Sequence, residues 1–598
     1  MDSILRQCAI FVMLACSALA AIARGQTITV TVDTSPAGRE QIIDGFGTGV
    51  FGVEGQQTWF QRLLLDDLRA SILRFDITPQ FKAPYSELHY YSPWFDQVTP
   101  LTLPGPDQNN VRTYTGPSDY SRSYGGHRAP IAVMGPDIDE NAKVFDFDAP
   151  AAKTAGTIGR AAKTRRASLG DFKLVGSVFS PAPWLKVSSG NSIAGQTDPL
   201  PKNGTKWPFI WGGNFSGGYL DVSGKSRPEF DDSGVGGRGP TSALIQFARG
   251  LAAYLRGFQN TYGIALYAIS LQNEPGFEEF YNSCAYPQSS EFTKVLKAAR
   301  VELDKYPDLA GIRIMGPEDV LGTDAYGMWM VGSSSHPTDK NLRYLENIGR
   351  DREAARLLSF FAIHGYAEDG ATAVGVASKQ WSWWREGWHK NPAFGLPSDV
   401  KGFVSYGKRS WMTETSGEEA SWLAPPSGFP AQGAWSIALK IQQALTTGQE
   451  SAWIYLQLSD GNARPTETLT NYTLGSQSPK YVAAKHFFRF IRPGAVRVNS
   501  KVTGSTRLSV SAYVNDAEHT LVLELLNLSA RDALVNVVVP TLPLGLSRFE
   551  VVTSSNHHLW QTSTINVLSQ RAAALVPAYG IVTLLGRGSA IRPSTSDR

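Results

Sequence analysis

Short apolar runs of β type alternate with helical patterns between residues 42 and 458, and this alternation restricts the fold strongly. A strand followed by a helix, repeated around one sheet, is typical of a (β/α)8 TIM barrel of α/β class. No glycine-rich dinucleotide fingerprint follows the first strand, so the pattern does not favour an open doubly wound sheet. The eight predicted strands are Ile42–Gly47, Ser71–Ile77, Lys173–Ser180, Tyr267–Asn273, Arg313–Pro317, Phe360–Tyr366, Ser410–Thr413 and Ser451–Leu458. The predicted helices are Gln56–Arg69, Ser242–Gln259, Ser290–Leu303, Leu342–Ser359, Ala434–Thr446 and Tyr481–Ile491.

Two connections are longer than a minimal barrel requires. They span residues 78–172, between the second and third strands, and residues 181–241, after the third strand. Both are rich in Pro, Gly, Ser, Asn and aromatic residues, and loops of this length in a compact domain usually carry function. Because both leave the C-terminal ends of strands, we expect these inserts to shape a cleft at the face where barrel active sites lie.

The pattern changes near Val496 to short β-branched runs separated by turn signals, which predicts a C-terminal antiparallel β-sandwich. We expect the segment 26–40 to contribute an N-terminal strand to that sandwich. The predicted domains are therefore a catalytic barrel at 41–494, the β-sandwich at 495–587 and a disordered tail at 588–598. The predicted sandwich strands are Leu508–Val514, Thr520–Leu526, Ala533–Val539, Phe549–Ser554 and Gly580–Leu585.

The N-terminus has the pattern of a secretion signal. Arg6 precedes an apolar run from Cys8 to Ala23, which contains small-residue cleavage sites. We therefore expect a signal peptide at 1–25, cleaved near residues 20–25, and a secreted or periplasmic protein. A membrane anchor would be longer, and a lipoprotein site at Cys16 is the weaker alternative because the residues before it match the usual pattern poorly.

Cysteine content and charge exclude several classes of protein. The leader holds two of the three cysteines, so a mature chain would keep Cys284 alone, without internal disulfides or a cysteine-based metal site. A formal net charge of +3 gives no strong field for nucleic acid or an anionic membrane. No segment after the leader has 18 consecutive apolar residues, so we expect no membrane insertion. We further expect a monomer that needs neither a metal nor an organic cofactor.

Two glutamates stand where predicted strands end. Glu274, within Gln272-Asn-Glu-Pro275, closes the fourth strand, and Glu414 closes the seventh. In a barrel these ends face each other across the opening, and glycoside hydrolysis requires such a pair, one neutral to protonate the glycosidic oxygen and one ionised. Each glutamate alone would more often be a solvated loop residue or an ion-pair partner. Their joint position predicts a catalytic pair.

Polar residues at other strand ends are expected around the reacting sugar. Asn273 could hydrogen-bond a sugar hydroxyl, and Arg74 could pair with Glu414 and hold it ionised. His364 and Tyr366 are two residues apart on the sixth strand, so we expect both side chains on one side, orienting the nucleophile or the departing oxygen. A generic ion pair for Arg74 and a satisfied buried histidine for His364 are the alternatives.

Aromatic and acidic residues supply a second group of candidates. Trp184, after the third strand, and Trp453, on the eighth, could form a floor beneath a sugar ring, or they could be core residues. The tryptophan-rich run 381–388 could stack on further sugars, although helix packing explains it almost as well. We expect Glu318 and Asp319, at the end of the fifth strand, to support the site from behind.

The ordered set of motifs resembles glycoside hydrolase family 30, a barrel-plus-β-domain group in clan A of retaining glycosidases, from about residue 40 to 587. The resemblance implies Glu274 as acid/base, Glu414 as nucleophile, and Asn273, Arg74, Trp184, His364, Tyr366 and Trp453 around the sugar. Relatives similar to glucosylceramidase carry a sugar-binding carboxylate soon after the second strand, whereas residues 78–85 here contain none. The matching stretches include Asp44-Gly-Phe-Gly47, Phe179-Ser-Pro-Ala-Pro-Trp-Leu-Lys186, Gln272-Asn-Glu-Pro275, Met315-Gly-Pro-Glu318, His364-Gly-Tyr366, Trp411-Met-Thr-Glu414 and Arg492-Pro-Gly494.

These observations predict a retaining β-glycoside hydrolase that works by double displacement. Retention requires carboxyl groups about 5–5.5 Å apart, whereas roughly 7–9 Å would favour inversion. The charge of Glu414 is expected to raise the pKa of Glu274, so that Glu274 is neutral at rest. The alternatives are a catalytically silent carbohydrate-binding protein on the same scaffold and a retaining glycosidase of a neighbouring clan A family. The sequence leaves the substrate open among β-1,6-glucan, β-1,6-galactan, β-xylan, small β-glucosides and sphingolipid glycosides, and it leaves endo or exo action open.

Overall fold

The computed structural model describes most of the chain in two compact units, residues 43–493 and a second unit formed by residues up to 42 together with 494 onward. The predicted signal peptide and residues 589–598 lie outside the described residues. The residues described are 28–83, 85, 101–104, 111–114, 131–187, 215, 218–276, 281–286, 288–320, 341–366, 376–388, 400–417, 421–422, 433–470, 475, 477–542 and 545–588.

Eight parallel strands of the first unit close into a barrel, which confirms the predicted (β/α)8 fold. Each strand pairs with its neighbours in the chain, and the eighth strand returns to pair with the first. The first strand begins at Gly45, later than predicted, because Arg39–Ile42 pairs with Val496–Val498 in the second unit's sheet. In chain order the barrel strands are β1 (Gly45–Val50), β2 (Ile72–Ile77), β3 (Lys173–Val178), β4 (Ala268–Ser270), β5 (Arg313–Val320), β6 (Phe360–His364), β7 (Ser410–Glu414) and β8 (Ala452–Tyr455).

The helices of the barrel follow the sequence pattern with a few departures. A predicted helix at 342–359 is interrupted at Asp351, whose carboxylate accepts the Ala354 N–H at 3.0 Å and caps a second, short helix. The helices are Thr58–Gln61 continuing as a π-helix Arg62–Asp67, then Ile138–Ala142, Pro150–Thr164, Arg166–Leu169, Ala243–Tyr262, Ser289–Leu303, Asn341–Arg350, Arg352–Leu357, Val376–Glu386, Ala434–Thr446 and Pro479–Phe490. None of the helices in the described part of the chain is long and apolar enough to cross a bilayer.

The first long insert contains a helix that the sequence pattern did not predict, Pro150–Thr164. Its buried face consists mostly of alanine, glycine and threonine, so the hydrophobic periodicity that identifies a helix is weak. Gly156 lies against the Tyr262 ring, where a Cβ would come within 2.3 Å of a ring carbon. Small residues therefore let this helix approach the neighbouring helix closely.

The barrel interior is filled by an apolar layer near the N-terminal ends of the strands, a region called the base below. Because strand side chains alternate between the two faces, β6 and β8 each contribute two residues that lie two positions apart, and five other strands contribute one each. Phe360 and Trp411 are its largest members, with ring centroids 4.4 Å apart. The other buried members are Ile72, Val175, Ala268, Met315, Ala362, Ala452 and Ile454.

The second unit consists of a seven-stranded sheet and a four-stranded sheet that share one apolar core. Ile28–Val32 lies inside the four-stranded sheet, parallel to Ala533–Val538 and antiparallel to Ser500–Thr503. Apart from that parallel pair, the strands are antiparallel, as predicted. The remaining strands are Leu508–Asn515, Thr520–Asn527, Arg548–Ser554, Gln561–Asn566, Arg571–Val576 and Ile581–Arg587.

Candidate active site

The C-terminal ends of the barrel strands, called the mouth below, bring together buried ionisable side chains from five strand ends. Each of them is less than one-tenth exposed. We refer to this group as the charged centre: Arg74 on β2, Glu274 after β4, Glu318 on β5, His364 on β6 and Glu414 on β7.

Arg74 lies in the middle of the charged centre and donates to four neighbours. Its Nη1 donates to Glu414 Oε2 at 2.6 Å, and its Nε donates to Glu318 Oε1 at 2.8 Å. Its Nη2 donates to Asn273 Oδ1 at 2.5 Å, and Nε also lies 2.9 Å from Ser177 Oγ. Burial alone would lower the pKa of Arg74, but the adjacent carboxylates raise it, so the guanidinium stays charged.

Glu274 is held by one partner on each carboxylate oxygen. Its Oε1 lies 3.0 Å from His364 Nδ1, and its Oε2 accepts the Tyr281 hydroxyl at 2.5 Å. Its backbone N–H donates to the Glu318 carbonyl at 2.9 Å. Glu274 and Glu318 have φ of 45° and 61°, a left-handed conformation that is uncommon for residues with a side chain. Such strain persists where the surrounding contacts hold it, and here it places both carboxylates in the barrel mouth.

Glu414 faces Glu274 across the mouth. Its Oε1 accepts a hydrogen bond from the Tyr366 hydroxyl and lies 3.9 Å from His364 Nδ1. One carboxylate oxygen of Glu274, one of Glu414 and one ring nitrogen of His364 all lie within 4.8 Å of one another. The two carboxyl groups are therefore close enough to act on one bond.

His364 is fully buried among three carboxylates. Burial alone would lower its pKa, but Glu414, the hydrogen bond to Glu274, and Glu318 together raise the pKa of His364 to about 10. The pKa of Glu318 is lowered, because the Arg74 charge and His364 outweigh its burial. At neutral pH the imidazole is therefore an imidazolium.

The protonation expected for Glu274 was wrong for the free protein. Burial raises the pKa of Glu274, but the hydrogen bond and charge of His364, the Tyr281 hydroxyl and the Arg74 charge outweigh it and lower the pKa. The prediction considered only the repulsion from Glu414. His364, which lies on a strand distant in sequence, turns the expected rise in the pKa of Glu274 into a decrease.

Glu274, His364 and Glu414 also satisfy the distances needed to hold a metal ion. A histidine ligand must offer a deprotonated ring nitrogen, whereas Nδ1 of His364 is hydrogen-bonded to Glu274 and its pKa is raised. The Arg74 guanidinium, 2.6 Å from Glu414, adds a positive charge at the same place. The three groups therefore fit a shared proton better than a cation.

Trp453, expected beneath the sugar, lies elsewhere. Its neighbours on β8, Ala452 and Ile454, point into the barrel core, so Trp453 points outward. Its ring packs against Phe488, 6.0 Å between centroids, and against Tyr455. The expectation for Trp453 is therefore wrong, because the strand alternation places it between the sheet and a helix.

Trp184 is buried after β3, with 3% of its surface exposed. Its ring lies 4.8 Å from that of Phe81, and it lines an apolar cavity of about 40 Å³ together with Ile77 and Met134. The described contacts of Trp184 are thus with this cavity and not with the charged centre.

Two tryptophans of the run 381–388 are core residues. Trp381 and Trp384 are 1% and 0% exposed, and Trp384 Nε1 donates to Ser410 Oγ at 2.9 Å. Helix packing, not sugar stacking, therefore accounts for these two. Glu318 belongs to the charged centre itself, and Asp319 is buried beside it and accepts a hydrogen bond from the Val320 N–H at 2.9 Å.

Sequence reasoning missed two residues at the mouth. Tyr281 lies in a loop after β4 with no motif around it, so only the three-dimensional contact with Glu274 identifies it. Asp76 stands two residues beyond Arg74 on β2, half-buried, and its carboxylate accepts the Thr78 hydroxyl at 2.7 Å. Burial raises the pKa of Asp76 to about 6. The spacing Arg-x-Asp on a strand, which puts both side chains on one face, was the available signal.

Two buried lysines fix the segments around the charged centre. Lys186 Nζ donates to Ser180 Oγ at 2.8 Å and to the carbonyls of Phe215 and Ser283, at 2.9 and 3.1 Å. It thereby ties the second insert to the loop that carries Tyr281. Lys440 Nζ donates to Thr415 Oγ1 at 2.9 Å, directly after Glu414.

The fold and part of the sequence have known counterparts, although no protein-family model matches the chain. A segment of 186 residues is 27% identical to glucuronoxylanase XynC of Bacillus subtilis (strain 168), covering 30% of this chain and 40% of XynC. The structure is similar to a GH30 endoxylanase from Clostridium papyrosolvens C71, with a TM-score of 0.56, 16% identity, and coverage of 94% of this chain and 100% of that one. The endo-β-1,6-glucanase BT3312 gives a TM-score of 0.54 and 15% identity, with 94% of each chain covered.

The chain has the fold of the glycoside hydrolase family 30 endoxylanases. The resemblance predicted from the motifs is thereby confirmed. The match to XynC spans less than half of that enzyme's length, so it supports the relationship without carrying XynC's specificity to this chain.

Proposed function

We propose that this protein is a retaining β-glycoside hydrolase in which Glu414 is the nucleophile and Glu274 the acid/base. The observation that carries the proposal is the pair of buried carboxylates with oxygens within 4.8 Å, each held by a different set of partners. Glu414 is bound by Arg74 and Tyr366, and Glu274 by His364 and Tyr281. Oxygens this close fit the separation of roughly 5–5.5 Å in retaining enzymes better than that of about 6.5–9.5 Å in inverting enzymes, which supports double displacement.

The partners of Glu414 suit a nucleophile. The Arg74 guanidinium donates to one oxygen and orients it, while the Tyr366 hydroxyl donates to the other. Because burial and Glu414 raise the pKa of Tyr366 well above its usual range, this hydroxyl remains a donor. The carboxylate attacks the anomeric carbon, and a water directed by Glu274 later releases the sugar with its original configuration.

The substrate we propose is a β-linked glycan. The similar proteins include xylanases and an endo-β-1,6-glucanase by name, so β-xylan and β-1,6-glucan come first among the open candidates, followed by β-1,6-galactan and small β-glucosides. Asp76 at the mouth offers a carboxylate for a sugar hydroxyl, although residues 78–85 contain no carboxylate. We propose that the protein acts outside the cytoplasm, as the pattern of residues 1–25 suggests.

A substrate screen tests this function. Wild type, Glu274→Gln and Glu414→Gln are incubated with xylan, β-1,6-glucan, β-1,6-galactan and aryl β-glycosides, and products are resolved by length. Glu524→Gln, which changes a buried acid of the β-sandwich, is the matched control. We expect one class of glycan to be cleaved by wild type and the control, and by neither site variant. A wild type that binds a glycan without cleaving any of the panel would instead support a carbohydrate-binding protein.

A further inference from the structure

Both ring nitrogens of His364 face carboxylates. Nδ1 lies 3.0 Å from Glu274 Oε1 and 3.9 Å from Glu414 Oε1, and Nε2 lies 3.7 Å from Glu318 Oε1. A neutral imidazole has one N–H and would turn a lone pair towards one of these oxygens. Only the doubly protonated ring presents a donor to both sides.

The charges of the charged centre favour a second cation beside Arg74. Three carboxylates (Glu274, Glu318 and Glu414) face Arg74 and His364, and all five side chains are buried. With a neutral imidazole and an ionised Glu274, one guanidinium would oppose three anions at low dielectric. The hydroxyls of Tyr281 and Tyr366 donate to Glu274 and Glu414 but carry no charge.

We propose that the proton delivered to the leaving oxygen is held at rest on His364 and passes through Glu274 when Glu414 gives up its charge to the sugar. This inference rests on the proposed function and adds a proton-holding residue to it. His364 does not touch the substrate in this scheme. It acts through Glu274 and is a positioning residue.

In the first half-reaction, Glu414 forms a C–O bond to the anomeric carbon, and the glycosidic C–O bond breaks with its electrons on the leaving oxygen. Nδ1 passes its proton to the ionised Glu274, with the N–H electrons staying on the imidazole, and Glu274 gives a proton to the leaving oxygen. The net charge of Glu274, Glu414 and His364 is the same before and after, because an ester and a neutral imidazole replace a carboxylate and an imidazolium.

The second half-reaction reverses the proton movement. A water oxygen bonds to the anomeric carbon, its proton passes to Glu274 and on to Nδ1, and the ester electrons return to Glu414. The restored carboxylate, 3.9 Å from Nδ1, again stabilises the imidazolium. The charge of the nucleophile thus sets where the proton lies in each half of the cycle.

The electrostatics agree with this geometry. Glu414 is the strongest of the influences that raise the pKa of His364. Loss of that charge in the glycosyl-enzyme would lower the pKa of His364 and drive its proton towards Glu274. The same scheme explains how Glu274 can act as an acid although its own pKa is lowered at rest.

The test measures the proton directly. Histidine labelled with ¹⁵N in the ring is incorporated into wild type, Glu414→Gln and the control Glu524→Gln, and the His364 signal is assigned by its loss in His364→Asn. We expect ring shifts of an imidazolium at pH 8 in wild type and the control, and a titration lower by about 1 to 3 pH units in Glu414→Gln. A neutral His364 at pH 7 in wild type, or a titration unchanged in Glu414→Gln, would overturn the proposal.

This readout does not depend on activity, so it separates the inference from the proposed function. If the screen finds a substrate, His364→Asn is assayed on glycosides with good and poor leaving groups. We expect kcat/KM to fall by about 10²-fold or more with an alkyl leaving group. With dinitrophenolate, which leaves without protonation by an acid, we expect a decrease of less than about tenfold. Equal losses on both would show that His364 only supports the structure.

Discussion

The two ends of the barrel bury the same residue types in opposite states. At the base, Glu450 is fully buried before β8, and burial raises its pKa well above the usual range, so it is neutral. At the mouth, Glu318 is equally buried, yet Arg74 and His364 lower its pKa and keep it charged. Burial alone therefore does not decide the state of a carboxylic acid. The cations placed beside it do.

The ends also differ in what fills them. The base is closed by the Tyr267 ring, which stacks on Trp411 of the apolar layer with 5.7 Å between the ring centroids. Asp44, also at the base, accepts hydrogen bonds from Arg409 Nη1 and Trp411 Nε1, at 2.6 and 2.9 Å. The base stabilises the fold, whereas the mouth holds more negative than positive groups in one place, an arrangement that costs stability and suits catalysis.

The largest effect is expected from the nucleophile. Glu414→Gln should lower kcat/KM by about 10⁴-fold or more, because no carboxylate remains to form the glycosyl-enzyme. Its melting temperature should change little, since the substitution removes one charge from an anionic cluster. Kinetics on the best substrate from the screen and calorimetry check both parts. A variant that unfolds would require Glu414 to be chiefly a structural ion-pair partner.

Two arginines allow the ends to be compared by stability. Arg74→Met should lower the free energy of unfolding by about 3–5 kcal/mol, because it leaves buried carboxylates without their counter-ion. Arg409→Met is the matched change at the base, where the side chain is 46% exposed and bonded to Asp44. We expect Arg409→Met to lower the free energy of unfolding by about 1 kcal/mol or less. Denaturant unfolding of both variants measures the contrast, and equal losses would refute it.

The buried Glu450 at the base predicts that the stability of the fold depends on pH. Glu450 has a folded pKa above its unfolded value, so its native proton stabilises the fold at acid pH, and this contribution is lost as the pH rises above about 4.3. Glu450→Gln should therefore have a larger free energy of unfolding than wild type at pH 8, with no such gain at pH 4. Unfolding free energies measured across this range test the sign. A gain that grows towards acid pH would show that Glu450 is charged.

The smallest effect is expected at Trp453. Trp453→Phe should keep kcat/KM within about threefold while lowering stability by about 1–3 kcal/mol, because the ring packs outside the barrel against Phe488. Steady-state kinetics and thermal unfolding distinguish this from a role beneath the sugar. A loss of activity of 10²-fold or more without a loss of stability would restore the expectation drawn from the sequence.

Periodicity and motifs predicted the barrel strands. Of the eight site residues expected from the sequence, the structure places six at the mouth. These six residues, Glu274, Glu414, Arg74, Asn273, His364 and Tyr366, lie on barrel strands or directly after them, where the barrel topology brings them together. The direction of Trp453 was not predictable from its motif, because it depends on which face of β8 Ala452 and Ile454 take.

Other features depend on contacts between distant segments. The Tyr281 bond to Glu274 joins a loop without a motif to a strand end, and the helix Pro150–Thr164 packs through small residues that give little periodic signal. The lowered pKa of Glu274 arises from His364, whose position beside it follows from the barrel closing. Such properties require the assembled structure.

The retention of configuration tests the central claim most directly. Proton NMR of the sugar released from the best substrate, recorded within the first minutes before mutarotation, identifies the anomer formed by the enzyme. The close pair of Glu274 and Glu414 predicts that the β-anomer appears first and the α-anomer only later. Initial release of the α-anomer would show inversion and would contradict the assignment of Glu414 as a nucleophile.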